Sequence, residues 1–436
     1  MLQKKPSYFL DPFGCVKNQV DAENMMSHLE KTGWERKPAE EADLIIINSC
    51  GFIESAKKES IETVIGWRKR CPGKKILLAG CLAERYAKEL SESLTEADGF
   101  MGVKDISLIE KIAGEITGVS CSSNSKTLPA GERPLLSLPG SAYVKISEGC
   151  GNNCSYCAIP LIRGSLKSRA IPDILQECRV LLARGIKELC ITAQDTGSYG
   201  SDISSGGKLP ELLNAICGLE GHFWIRLLYI HPDHFPVSVL DIMERDKRLL
   251  PYFDIPFQHA GEKILRAMNR RGNAGNYLEL LNEIRTRLPD AVIRSTFLLG
   301  FPGETEEDFA HLLDFQQEAA LDWLGCFTYS REESTAAWSM KNRVNKKTAN
   351  IRKQIIEERQ IIISQKKMDR FINKEFDVLI EEQIDEDFAL GRLYLQSPEI
   401  DGAAVIRIDG IMPQPGSLVP CKVTARRGID LEIRLL

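Results

Sequence analysis

Short apolar runs alternate with helix-like stretches through the first third of the chain. "SYFL" leads to Cys15, and "QVDAENMMSHLEKTGW" then sets Val20, Met25, Met26 and Leu29 on one helical face, with Gly33 closing the helix. "ADLIIINSC" is a β-rich run ending at Cys50 and precedes the helical "ESAKKESIETVIGW". "KKILLAGC" is a third such run, ending at Cys81, with "LAERYAKEL" behind it. Strand-then-helix repetition predicts an open parallel α/β domain over residues 1–120. Residues 121–138 are rich in Ser, Pro and Gly, lack periodicity and read as a linker.

From residue 139 the alternation restarts with longer helices. The predicted strands are "AYVKISE", "KELCITA", "FWIRLLYI", "YFDIPF", "AVIRSTFLLG" and "DWLGCFTY". Helical patterns separate most of them, and Thr305 with Asp308 forms a capping-box signature ahead of one. Six β/α units predict a partial (β/α)6 barrel over 139–368, including a trailing charged helix, with chemistry at the C-terminal ends of the strands. In 370–436 four short strands, "EFDVLIEEQ", "AVIRID", "LVPCKVTARR" and "DLEIRLL", predict a small all-β barrel. The fold class is therefore α/β with a β-barrel appended.

Composition narrows the classes. The chain has 436 residues, 43% hydrophobic and 27% charged, which is globular and long enough for two or three domains. Its 56 Lys plus Arg against 61 Asp plus Glu leave a net charge of −5, unlike a chain that grips nucleic acid along its length. "MLQKKPSYFL" lacks the apolar core of a secretory signal, and no apolar run approaches the roughly 20 residues of a membrane span. The expected compartment is the cytoplasm. Thirteen cysteines there read as metal ligands, catalytic thiols and core residues rather than disulfides.

The strongest chemical signal is "EGCGNNCSYCAIP", which spaces Cys150, Cys154 and Cys157 as C-x3-C-x2-C directly after the first barrel strand. Such a loop converges three thiolates on one metal centre. A structural zinc site usually closes with four protein ligands, and no fourth Cys or His is nearby, the next cysteine downstream being Cys178 in a helical pattern. Three thiolates on a four-iron cluster depart from the four-cysteine norm and leave one iron open for a ligand. Cys15, Cys50 and Cys81 each stand at the C-terminal end of a predicted strand. In an open parallel sheet those ends share one edge, where ligands bind, so three dispersed thiols can form a second metal site. Cys71 and Cys121 share no such placement, and Cys178, Cys190, Cys217, Cys326 and Cys421 read as element interiors.

The spacing after the first strand of a β/α barrel resembles the radical S-adenosylmethionine superfamily. With "FGCVKNQVDAE", "NSCGFIESAKKES", "AGCLAERYAKEL", "AQDTGSYG", "RLLYIHPDHF", "IPFQHA" and "GFPGETEEDF", the chain resembles its methylthiotransferase family, most closely the ribosomal-protein (RimO-type) branch. "PFGC" departs from that branch, which more often has Leu before the glycine and Pro after the cysteine. The resemblance implies an N-terminal methylthiotransferase domain, a radical barrel and a C-terminal TRAM domain. It implies one 4Fe-4S cluster on Cys150, Cys154 and Cys157, binding S-adenosylmethionine, and an auxiliary 4Fe-4S cluster on Cys15, Cys50 and Cys81. Tyr156 matches an aromatic residue near the adenine, though core packing also accounts for it. Gln194 and Asp195 stand where the family places cofactor-binding polar groups, though turn chemistry also suits them. The implied reaction is methylthiolation of the β-carbon of an aspartate in small-subunit ribosomal protein twelve. An electron donor such as flavodoxin or ferredoxin and a monomeric state are implied with it.

Two other readings compete. The sister branch modifies an adenosine in transfer RNA, for which the TRAM domain should be basic. Residues 371–436 instead carry seven Lys plus Arg against twelve Asp plus Glu, headed by "EEQIDED" at 381–387, leaving only Arg426 and Arg427 as a local phosphate contact. An acidic surface suits a basic ribosomal protein. A zinc-bound, non-catalytic ribosome or RNA adaptor is the other reading, and it leaves six placed cysteines and a barrel without a purpose.

Overall fold

The computed structural model describes residues 5–119, 131–204 and 207–436. Its N-terminal sheet is parallel throughout, in the order β2-β1-β3-β4-β5: β1 (Ser7–Pro12), β2 (Glu35–Arg36), β3 (Leu44–Ser49), β4 (Lys75–Gly80) and β5 (Gly99–Met101). The continuous apolar run of β3 follows from its central place, where both faces are covered. Leu44 and Ile46 face one way, into a cluster with Met25, Met26 and Leu29 of α1 (Val16–Lys31). Ile45 and Ile47 face the other, against Val64 and Trp67 of α2 (Glu54–Arg70). The helix α3 (Cys81–Ser93) follows β4 without a connecting residue, and α4 (Ile109–Thr117) completes the layer beside α1. Gly33 lies just past the end of α1 with φ of 92°, the left-handed turn that stops a helix.

The central barrel contains all six expected strands: β6 (Ser141–Lys145), β9 (Glu188–Thr192), β10 (Trp224–Leu227), β11 (Tyr252–Asp254), β12 (Val292–Leu299) and β13 (Trp323–Thr328). A two-residue hairpin, β7 (Ser147–Glu148) with β8 (Lys167–Ser168), brackets the cysteine loop. The six strands form two parallel halves, β10-β9-β6 and β11-β12-β13, which meet where Ile225 bridges Leu249. No pairing joins β6 to β13 among the described residues, so the barrel is open on that side. Of the expected linker, 121–130 lie outside the described residues. Arg133 beyond them is buried, donating to Glu23 at 2.8 Å and pairing with Glu177 at 2.5 Å. A stretch without hydrophobic periodicity can still be fixed by one buried ion triplet, which pattern reading does not register.

The C-terminal domain is a closed barrel in the order β14-β15-β16-β18-β17: β14 (Glu375–Gln383), β15 (Phe388–Arg392), β16 (Ala404–Arg407), β17 (Leu418–Arg427) and β18 (Asp430–Leu435). The sequence pattern predicts four strands and misses β15, which is short, follows the acidic run and contains Gly391. That glycine is required by close strand approach, since a Cβ there would lie 2.5 Å from the carbonyl oxygen of Leu379.

This small barrel seats on the N-terminal ends of the central strands through buried ions. Glu188, the first residue of β9 and fully buried, accepts from Arg226 at 2.7 Å, Ser141 at 2.8 Å and Arg392 of β15 at 2.5 Å. Tyr252 donates to Asp401 at 2.6 Å, and Trp323 Nε1 donates to the carbonyl of Leu395 at 2.7 Å. Burial alone would raise the carboxyl pKa of Glu188, but Arg392 and Arg226 outweigh it and hold it far below the usual range. Removing one partner of such a cluster strands the others in a low dielectric. Glu188→Gln, which leaves two buried guanidinium groups facing a neutral amide, is expected to destabilise the protein by about 3–5 kcal/mol, read as a lower urea midpoint. An unchanged midpoint would show that the ion cluster does not hold the two barrels together.

Candidate active site

Each N-terminal cysteine is placed by its strand. Cys15 is the residue before α1, Cys50 directly follows β3, and Cys81 opens α3 directly after β4. Glycines make the crowding possible. Gly80 has φ of 98° and leaves no room for a Cβ, which would lie 2.6 Å from Asn48 Oδ1 and from the carbonyl of Ser49. Asn18, in the first turn of α1, ties the strand ends together. Its amide donates to the carbonyls of Phe13 at 3.2 Å and Ser49 at 2.9 Å, and its Oδ1 faces the Cys81 sulfur at 3.2 Å. Burial chiefly raises the Cys50 and Cys81 pKa values, with Cys15 adding to both and Cys50 to that of Cys81.

The loop 150–157 is braced from the barrel. Cys150 N–H donates to the carbonyl of Gly164 at 3.2 Å, and Ser155 N–H and Oγ donate to the carbonyls of Met268 and Ala267 at 3.0 and 2.8 Å. Asn152 Nδ2 donates to Asp195 Oδ2 at 2.9 Å. That carboxylate also accepts from Ser198 at 2.5 Å, faces His234 Nδ1 at 2.7 Å, and accepts from the backbone N–H groups of Gly197 and His231 at 3.1 Å. Burial would raise the Asp195 pKa, but hydrogen bonds from His234, Ser198 and Asn152 outweigh it and hold the carboxyl low. Asp195 is therefore a brace for the cysteine loop, committed to protein partners.

Both cysteine triads line one cavity of about 380 Å³, together with Tyr156 and Gln194 but not Asp195. The cavity sits at the C-terminal rim of the barrel, where Tyr229 and Gln258 follow β10 and β11 with φ of 60° and 70°. Non-glycine residues held in that region are strained, and strain of this kind gathers at ligand sites. Among the described residues no three His, Cys, Asp or Glu side chains close on a single-ion site; the thiols ring the cavity instead.

The chemistry of these groups fits an iron–sulfur cluster at each triad and a polar cofactor between them. Burial pushes the Cys81 and Cys157 thiols up to about 12 and raises Cys50 and Cys150. Such thiols become ligands once a cationic centre displaces the proton. Buried polar atoms without a partner also lie on residues of the cavity wall: Gln194 Oε1, His231 Nε2 and Arg270 Nε. Buried polar atoms in folded proteins are otherwise satisfied almost everywhere, so this concentration marks a ligand position. His231 is kept neutral, its pKa lowered to about 3 by burial and by Arg270. Tyr156 faces Arg270 Nη1 through its hydroxyl at 3.4 Å and meets Phe301 edge-on.

Sequence reasoning passed over Asn18, Arg163 and Arg270, which arrange these groups. Arg163 Nη2 donates to Asn18 Oδ1 at 2.6 Å, Asp21 Oδ2 at 2.8 Å and Cys81 Sγ at 3.2 Å, while Nη1 donates to Glu148 at 2.8 Å. Glu148 also accepts from Lys145 at 2.6 Å and Gln194 at 3.2 Å. One buried guanidinium thus joins the α1 helix, an N-terminal cysteine and the barrel rim. On the far side, Glu332 pairs with Arg85 at 2.6 Å and Lys57 at 2.8 Å across the same junction. The available signal was positional: Asn18 is three residues past Cys15, and Arg163 six past Cys157.

Known proteins agree with this architecture. Residues 7–102 match the model of the Uncharacterized protein family UPF0004, 144–315 that of the Radical SAM superfamily, and 372–435 that of the TRAM domain. The radical S-adenosylmethionine methyltransferase TsrM from Kitasatospora setae, solved with cobalamin and a 4Fe-4S cluster bound, superposes with a TM-score of 0.56. At 14% identity, over 76% of this chain and 74% of that one, it shows a shared fold alone. Ribosomal protein uS12 methylthiotransferase RimO from Treponema denticola is 47% identical over 97% of this chain and 99% of its own. The enzyme of the same name from Syntrophomonas wolfei is 41% identical over 96% and 97%. With such identity over nearly its whole length, the chain belongs to the RimO family of radical S-adenosylmethionine methylthiotransferases.

Proposed function

We propose that this chain transfers a methylthio group to the β-carbon of an aspartate in small-subunit ribosomal protein uS12. The observation that carries the reading is the single cavity shared by two cysteine triads, one from an open parallel sheet and one from a barrel loop. Residues 1–120 supply Cys15, Cys50 and Cys81 for an auxiliary 4Fe-4S cluster. Residues 139–368 supply Cys150, Cys154 and Cys157 for the cluster that takes S-adenosylmethionine. The bound cofactors supply the methyl group, the sulfur and the radical that removes a substrate hydrogen.

The protein's own part is binding, orientation and exclusion of water. Tyr156 and Gln194 line the cavity that would hold the cofactor, and Asp195 keeps the loop 150–157 in place from behind through Asn152. Arg163 fixes the distance between the triads by holding Asp21 and Glu148 at once. Phe52 and Phe327 are apolar wall residues, and Phe327 is exposed, as at a mouth that admits a protein loop. Residues 370–436 form the TRAM domain, whose acidic turn retains exposed Glu382, Asp385, Glu386 and Asp387 while Glu381 is bound to Arg392. That surface favours a basic ribosomal protein, and Arg426 is tied to Asp369 at 2.6 Å rather than presented to phosphate. Among the described residues no helix is long and apolar enough to cross a membrane. The proposal further takes the chain as a cytoplasmic monomer served by a flavodoxin or ferredoxin.

Three measurements test this reading. Protein prepared without oxygen is expected to carry about eight irons with matching sulfide; one or two zinc ions and no iron after reconstitution would refute it. Cys15→Ala should abolish methylthiolation yet retain reductive cleavage of S-adenosylmethionine, whereas Cys154→Ala should lose both; full thiolation by the Cys15 variant would remove the auxiliary cluster from the mechanism. Mass spectrometry of cells lacking the enzyme should show loss of the methylthio increment on uS12 with transfer RNA unchanged, and the opposite pattern would move the chain to the RNA branch.

A further inference from the structure

Among the described residues seven lysines and arginines are buried: Lys17, Arg133, Arg163, Arg226, Arg270, Arg352 and Arg392. Five of them pair with carboxylates: Arg133 with Glu23 and Glu177, Arg163 with Asp21 and Glu148, Arg226 with Glu188, Arg352 with Glu304 and Glu306, and Arg392 with Glu188 and Glu381. The two without a carboxylate within ion-pair distance, Lys17 and Arg270, both line the cavity that holds the cysteine triads. A buried charge with no carboxylate partner is costly, so two of them on one wall, beside the Cys15 and Cys154 thiols, mark places where anions arrive.

The two cations sit at opposite triads. Arg270 donates to the carbonyl of Pro256 at 2.7 Å and faces the Tyr156 hydroxyl and the Cys154 thiol. It belongs to the barrel side, where S-adenosylmethionine brings a carboxylate of its own. Lys17 lies on the other side, two residues past Cys15 in the first turn of α1, and is only 8% exposed. Its Nζ stands 3.3 Å above the centroid of the Tyr229 ring, and Tyr229 is held there by its strained φ of 60°. An aromatic face supports an ammonium without consuming its three N–H donors. The acidic groups around it are the Cys15 thiol, Asp254 and Glu148. Asp254 is engaged elsewhere, its Oδ2 accepting from Tyr229 N–H at 3.2 Å with Arg294 4.0 Å from Oδ1, and Glu148 pairs with Lys145 and Arg163.

We propose that Lys17 binds the side-chain carboxylate of the target aspartate, setting the adjacent β-carbon between the two cysteine triads and selecting aspartate over its amide. This inference rests on the reading of the chain as an enzyme that modifies an aspartate. A lysine held at its ring and free at its donors can orient a carboxylate whose neighbouring carbon must present one hydrogen to the barrel and then receive sulfur from the N-terminal side. An asparagine brings no charge to that ammonium and leaves it unpaired.

The test uses reconstituted holoenzyme and two synthetic peptides spanning the uS12 target, one with the aspartate and one with asparagine in its place. The wild type is expected to methylthiolate the aspartate peptide and to bind it about 50-fold more tightly than the asparagine peptide, the range of a charge-assisted hydrogen bond. Lys17→Met, which keeps the stem over Tyr229, should bind both peptides equally at the weaker level, and Lys17→Arg should recover part of the preference. Iron content, measured alongside, reports whether each variant keeps its clusters. Equal binding of both peptides by the wild type, or an undiminished preference in Lys17→Met, would overturn the assignment of Lys17 while leaving the enzyme reading intact. A Lys17→Met variant that weakens both peptides by one factor would overturn it too, placing the lysine in service of the thiolates. Failure of the wild type to methylthiolate the aspartate peptide would overturn the enzyme reading and this inference with it.

Discussion

The buried contact between Arg163 and Asp21 is the constraint on which the rest of the site depends. Asp21 sits on α1, the helix that begins at Cys15, and Arg163 closes the short helix α5 (Ile159–Arg163) that follows Cys157. Each helix therefore lies just after a cysteine of a different triad. Tying them together fixes the two triads relative to one another, and the same guanidinium extends the tie to Asn18, Cys81 and Glu148. Both charges are almost entirely withdrawn from water, so the pair holds only because its geometry is complete. Lys145, bridging Asp21 and Glu148, completes it.

The two ends of the barrel put their buried polar groups to different uses. At the N-terminal end, Glu188, Arg226 and Arg392 meet, and the closed β-barrel covers them. At the C-terminal end, His231, Gln194 and Arg270 keep unpartnered atoms beside strained backbone. Ion pairing at one end holds the two barrels together, while the unpartnered atoms at the other end line the cavity. The same strands carry both, which is why the parallel barrel localises chemistry so strictly to one rim.

Much of this was legible in the chain. The six parallel barrel strands followed from their apolar runs, and the placement of the N-terminal cysteines from three further runs that each led to a thiol, because a parallel sheet puts all such ends on one edge. The cysteine loop was legible from spacing alone. What was not legible depends on partners distant in sequence. Asp195 stands where a cofactor ligand is expected, yet its oxygens are consumed by Asn152, Ser198 and His234, a count that only three dimensions supply. Strand β15 was hidden because its pairing with β14 and β16, not its own composition, makes it a strand. Arg133 looked like part of a linker because a single buried ion triplet leaves no periodic trace.

The way Asn18 and Gly80 hold three strand ends together has a consequence for the lifetime of the auxiliary site. In a small zinc module the metal's binding energy is also the folding energy, so losing the ion unravels the chain. Here the sheet, with β3 buried at every position, assembles Cys15, Cys50 and Cys81 on its own account. Their placement does not wait on a bound metal. Under the proposed assignment, a cluster lost from these cysteines could be restored on a scaffold that need not unfold between one filling and the next.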